Sequence, residues 1–150
     1  MNAICVFQDK KIKGKIRFTQ EKREKPVQIE LELQGFPKKK KPSDYAIHIH
    51  EFGDLSNGCM STGGHFNPYD KIHGIIHPEY HIGDFISNIT PNQNGDVFFQ
   101  RNEPLLSLFP DEENCILGRS IVIHEYPDDL GDWKKYKTMG EKELLEFVLK

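Results

Sequence analysis

The chain has 150 residues, 37% hydrophobic and 29% charged, which suits a single domain spanning 1–150 with a real core. Its net charge of −3 argues against a general nucleic-acid or membrane binder, and no apolar stretch is long enough to span a bilayer. Cys5, Cys59 and Cys115 lie far apart with no CxxC pair, so neither a disulfide framework nor a cysteine zinc site follows.

The start, Met1 to Phe7, has no basic n-region and meets Gln8-Asp9 at once, so no secretory signal is expected and the protein is placed in the cytoplasm. Ala3, Cys5 and Phe7 recur with period two, as do Ile16 and Phe18 after a turn expected near Gly14. Val27, Ile29, Leu31 and Leu33 alternate strictly with Gln28, Glu30, Glu32 and Gln34, giving one buried and one wet face. The run Lys38 to Lys41, between Pro37 and Pro42, reads as a solvated turn. The strand-like segment Tyr45–Phe52 carries His48 and His50; residues two apart on a strand share a face, so both imidazoles can grip one metal.

Gly53 to Asp84 reads as a long loop, and loops of that length are usually functional. It holds four of the seven histidines: His65, His73, His77 and His81. His81 with Asp84 supplies a nitrogen and a carboxylate oxygen, a pair suited to zinc. Asn88-Ile89-Thr90 matches a glycosylation acceptor that is expected to stay idle. Asn92-Gln93-Asn94-Gly95 predicts a hairpin turn between strands Phe85–Ile89 and Val97–Gln100. A further strand is expected over Ile116–Glu125. It places His124 at the end of the apolar run Ser120–Ile123, where an unpaired imidazole is costly and a neutral one suits copper. A second long loop, Tyr126 to Glu143, precedes a last strand at Leu144–Leu149. The sum is an all-β sandwich or barrel of about eight short strands.

Several motifs resemble those of the intracellular copper/zinc superoxide dismutases. They are His48-Ile49-His50-Glu51-Phe52-Gly53-Asp54, Gly64-His65-Phe66-Asn67-Pro68, His73-Gly74, His81-Ile82-Gly83-Asp84, Gly118 to Glu125, and Asp128-Asp129-Leu130-Gly131. The similarity runs from Ala3 to about Thr138. It implies an eight-stranded Greek-key β-barrel with two long functional loops, and superoxide as substrate. It also implies one copper, on His48, His50, His65 and His124, and one zinc, on His65, His73, His81 and Asp84. In the resemblance His65 bridges the two metals and doubles as a proton donor, and Asp128 links His48 to His73. A homodimer and a copper chaperone as partner are implied as well.

Three departures from that family stand out. The family has an arginine above copper; alignment puts Leu144 there, and no arginine follows Arg119. Lys134, Lys135, Lys137 and Lys142 could supply positive potential without a planar fork, Lys137 and Lys142 being the candidates for anion steering, and a slower enzyme is expected. The family's loop-anchoring disulfide matches Cys59, but its partner position is Phe147, so Cys59 is expected to be a free thiol. His77 is an extra histidine. The rival reading is a catalytically weak copper- and zinc-binding relative acting as metal buffer or partner decoy. A cupin ranks behind both, because no glutamate occurs between Glu51 and Glu79.

Overall fold

The computed structural model describes residues 1–41, 43–75 and 79–132, and the backbone of 143–148. His77, Lys134, Lys135, Lys137 and Lys142 lie outside the described residues, as do the side chains of Leu144 and Phe147. The described strands are β1 (Asn2–Gln8), β2 (Lys13–Thr19), β3 (Val27–Gln34), β4 (Tyr45–His50), β5 (Ser56–Cys59), β6 (Ser87–Ile89), β7 (Asp96–Glu103), β8 (Ser120–His124) and β9 (Glu143–Val148). Eight of them form two antiparallel four-stranded sheets, ordered β1-β2-β3-β7 and β6-β4-β8-β9. The chain leaves the first sheet after β3 and returns to it as β7, beside β3, before crossing again. Among the described strands, three crossings therefore join the two sheets: β3 to β4, β6 to β7 and β7 to β8.

Period-two burial builds the core. Ala3, Cys5 and Phe7 of β1, Ile16 and Phe18 of β2, and Val27, Ile29, Leu31 and Leu33 of β3 all point inward. They meet Ile47, Ile49, Ile121 and Ile123 from the second sheet in one apolar cluster. Strand β4 departs from alternation, being buried at all six positions. Tyr45, Ile47 and Ile49 face the core, while Ala46, His48 and His50 face the other way beneath the long loops. A central strand covered on both sides is a rigid mount for side chains that must not move.

Local details differ from expectation in three places. The turn expected near Gly14 falls on residues 9–12, where Asp9 Oδ2 accepts the Lys11 N–H at 3.0 Å. Gly14 itself lies inside β2, where a Cβ would come within 2.0 Å of the Glu32 carbonyl oxygen across the ladder. The turn at Asn92 forms, with the Gly95 N–H donating to Asn92 O at 3.0 Å, but it is not a hairpin. The strand before it begins at Ser87 and pairs with β4, whereas β7 pairs with β3, so the turn is a corner between sheets. Gly95 O instead accepts the N–H groups of Gly35 and Phe36, both at 3.1 Å. Turn chemistry specifies a reversal, not which sheet the next strand joins. Finally, the expected strand at Ile116 starts only at Ser120, because Ile116 N–H is used on Ser107 O. The first long loop also contains β5 and one turn of 3₁₀ helix at Ile82–Asp84.

All three cysteines are free thiols; Cys5 and Cys115 are buried, and burial pushes the Cys5 thiol up to about 12. Two phenylalanines test the layer assignment. Phe18 is fully buried, whereas Phe98, in the same sheet, is 64% exposed. Phe18→Ala should cost about 3–5 kcal/mol in urea unfolding, and Phe98→Ala should stay within about 0.5 kcal/mol. Equal losses would contradict the assignment.

Candidate metal centre

Strand β4 delivers His48 and His50, and its neighbour β8 ends at His124. The first loop then returns along β4. Glu51 N–H donates to Gly64 O at 2.9 Å and Phe66 N–H to Ile49 O at 2.8 Å, so His65 is paired backbone to backbone with His50. Ring centroids lie 4.0 Å apart for His48 and His65, 5.1 Å for His48 and His124, and 5.1 Å for His50 and His65. Each of these four histidines can offer one nitrogen, all within 4.8 Å of one another.

The hydrogen bonds decide which nitrogens remain. His48 Nε2 is taken by Asp128 Oδ2, and His50 Nδ1–H donates to Gly63 O at 2.8 Å. His48 Nδ1, His50 Nε2 and His124 Nε2 are buried without a partner among the described residues. An unsatisfied buried polar atom costs about 1–3 kcal/mol. Three of them converging on one point fit a soft-to-borderline cation that takes imidazole nitrogen, such as copper. Burial, reinforced by the neighbouring imidazoles, pulls His48 and His50 down to about 4 and His124 down to about 3. All three rings are therefore neutral and ligand-ready at ordinary pH.

A second group is built on Asp84, which the 3₁₀ turn holds at 0% exposure. Its Oδ1 is 2.7 Å from His65 Nδ1; its Oδ2 is 3.1 Å from His73 Nδ1 and 3.5 Å from His81 Nδ1. Oδ2 also accepts the Gly74 N–H at 2.7 Å. Burial alone would raise the Asp84 carboxyl, but the hydrogen bonds to His65 and His73 outweigh it and hold it well below the usual range. Three nitrogens and one carboxylate within 4.8 Å of one another are a donor set of the zinc type. His65 belongs to both groups.

Asp128 stands behind them. Its Oδ2 holds His48 Nε2 and its Oδ1 is 3.3 Å from His73 Nε2, so one carboxylate touches a ring of each group. Its hydrogen bonds, with those of Asp84, push His73 up to about 10. Asp129 Oδ1 is also 3.3 Å from His73 Nε2, a contact missed in the sequence although the Asp128-Asp129 pair could have signalled it. Asn88 was missed too: its amide oxygen accepts the Asp128 N–H at 2.7 Å and its nitrogen donates to Asp128 O at 3.3 Å. The asparagine of that glycosylation-like triplet is thus committed to the site. Arg119 is committed elsewhere: it donates to Glu51 O at 2.7 Å and Cys115 O at 2.8 Å and lies 3.5 Å over the Phe66 ring.

Comparison with known proteins follows this geometry. The family described as copper/zinc superoxide dismutase (SODC) matches residues 12–143. Superoxide dismutase [Cu-Zn] 5 of Dictyostelium discoideum is 40% identical over 132 residues, covering 87% of this chain and 82% of that protein. Superoxide dismutase [Cu-Zn] of Onchocerca volvulus is 40% identical over 131 residues, covering 87% and 78%. The crystal structure of the clock protein EA4 superposes with a TM-score of 0.83 at 34% identity, covering 99% of this chain and 92% of that one.

The buried neutral rings make a pH prediction for the metal-free protein. Unfolded histidines titrate near about 6.5, whereas folded His48 and His50 take a proton only near 4 and His124 only near 3. The unfolded chain therefore binds more protons below about pH 6.5, and stability is lost as pH falls. His73 is raised instead, so its contribution is fully present below about pH 6.5 and stays flat across that window. Urea midpoints of metal-free protein should fall steadily from about pH 6.5 to about pH 4.5; a flat profile would contradict the buried, neutral assignment.

Proposed function

Because the chain belongs to the copper/zinc superoxide dismutase family, we propose that it converts two superoxide anions and two protons into dioxygen and hydrogen peroxide. One observation carries the reading: a single imidazole, His65, is common to both donor groups. His48, His50, His65 and His124 would hold copper, and His65, His73, His81 and Asp84 would hold redox-inert zinc, one of each per chain. Copper supplies the one-electron exchange that oxidises one superoxide and reduces the next.

The residues do the rest. His48, His50 and His124 keep their lone pairs because burial keeps them unprotonated. His65 keeps Nδ1 toward Asp84. Its other nitrogen takes up a proton in one half of the cycle and gives it up in the other, which makes it the catalytic proton carrier. Asp128 fixes the rings of His48 and His73 together, so the two groups cannot drift independently. The anion must approach a chain of net charge −3 that has no arginine after Arg119. We assign local attraction to Lys137 and Lys142, which implies a slower, more salt-sensitive capture than a fixed guanidinium gives.

The working form is a homodimer of one-domain chains in the cytoplasm, with copper delivered by a chaperone. Exposed Ile4 and Val6 on β1, Phe52 just before the first loop and Met60 within it are apolar side chains that a partner chain would cover. No helix among the described residues is long and apolar enough to cross a membrane. The missing arginine favours a second reading, a metal-binding relative that turns over slowly or not at all.

Pulse-generated superoxide separates the two. Copper- and zinc-loaded protein should accelerate superoxide decay over many turnovers, with a rate that falls as salt rises. Leu144→Arg should raise that rate, most at low ionic strength. Decay that stops after one equivalent per copper would leave only the metal-buffer reading.

A further inference from the structure

We propose that Thr62 is a positioning residue for His50, tuning the donor strength of that ring toward copper. The inference rests on the reading that His50 holds copper, and it concerns a residue no motif singled out. Thr62 is fully buried, three residues before His65. Its backbone is stitched to both sides of the loop: Thr62 N–H donates to Cys59 O at 3.1 Å, and Thr62 O accepts the Phe52 N–H at 2.8 Å. Its hydroxyl oxygen lies 3.1 Å from His50 Nδ1 and 2.8 Å from Cys59 O.

Proton placement follows from what each group can do. Cys59 O can only accept, so the hydroxyl hydrogen goes there; the Gly63 carbonyl, at 3.5 Å, is the longer alternative. The hydroxyl lone pair then faces His50 Nδ1, which must be the donor. That N–H is shared between Gly63 O at 2.8 Å and Thr62 Oγ1 at 3.1 Å. The relay runs from His50 N–H to the Thr62 hydroxyl to the Cys59 carbonyl, and each bond polarises the next.

Two consequences follow. The proton is confined to Nδ1, which leaves the unpartnered Nε2 as the donor in the four-histidine group. The ring also becomes a stronger base, because a second acceptor on a ligand histidine raises its basicity. A stronger imidazole donor stabilises Cu(II) more than Cu(I). The relay further joins Cys59, a free thiol, to β4 through a hydroxyl. Loop and ligand are thereby coupled without a covalent bridge.

Thr62→Val keeps the shape and removes the hydroxyl, while Gly63 still holds the His50 proton. The effect should therefore be graded. In copper- and zinc-loaded protein, Thr62→Val should lose about tenfold in Cu(II) affinity by chelator competition, the low end for such supporting contacts. With Cu(I) affinity kept, that is a rise of about 59 mV in the one-electron midpoint. Thr62→Ser should restore both, and cobalt placed in the zinc group should keep its absorption spectrum throughout. If Thr62→Val does not fold, Thr62→Ala takes its place in the same measurements. An unshifted affinity and midpoint in the hydroxyl-free variant overturns the inference, as does a Thr62→Ser protein shifted as far as Thr62→Val. Wild-type protein that binds zinc but no copper overturns instead the reading on which the inference rests.

Discussion

The imidazole of His65 stands between two sets of donors, and much of the loop structure serves to keep it there. Its neighbour Phe66 is bound on both sides, giving its N–H to Ile49 O and accepting Gly83 N–H on its carbonyl, each at 2.8 Å. That close stack needs a glycine at 83, where a Cβ would come within 2.3 Å of Ile49 O and 2.7 Å of Phe66 N. The strand that carries His48 and His50 and the turn that carries Asp84 are thus clamped to the residue after His65. A ring common to two donor groups cannot be placed by either group alone. Strand β4 fixes one side, the 3₁₀ turn fixes the other, and Asp128 ties them together from behind.

Such a cluster opposes folding. Unpartnered ring nitrogens and buried carboxylates forgo water, and each unsatisfied atom costs about 1–3 kcal/mol. The apolar layer between the sheets offsets this, and β4 belongs to both: Ile47 and Ile49 face the core while His48 and His50 face the site. The stability of the sandwich and the strain of the site therefore share one strand. Metal binding would repay the neutral rings, so the folded state and the loaded state reinforce each other.

What the sequence disclosed follows from the range of the interactions. Alternation on β3 and the pairing of His48 with His50 on one strand face are local consequences of period two, and both were legible. The sharing of His65 was not a matter of spacing; only the resemblance to a family supplied it. Asp129, Asn88 and Thr62 went unseen because each acts across a fold distance: Asn88 meets Asp128 forty residues later, and Thr62 reaches back twelve to His50. The turn at Asn92 misled for the opposite reason. Its local chemistry is that of a hairpin, but the partners of β6 and β7 were fixed elsewhere. Of the histidines, only His77 lies outside the described residues.

The central claim is that one imidazole serves two metal positions. It is tested most directly by loading both positions with Cu(II) and recording the magnetic resonance signal as temperature falls. A single ring joining the two ions should couple their spins, so the signal should weaken on cooling well below that of two independent coppers. His65→Ala, loaded the same way, should show uncoupled spins. A doubly loaded wild-type protein whose signal equals the sum of two isolated Cu(II) sites would contradict the shared ring.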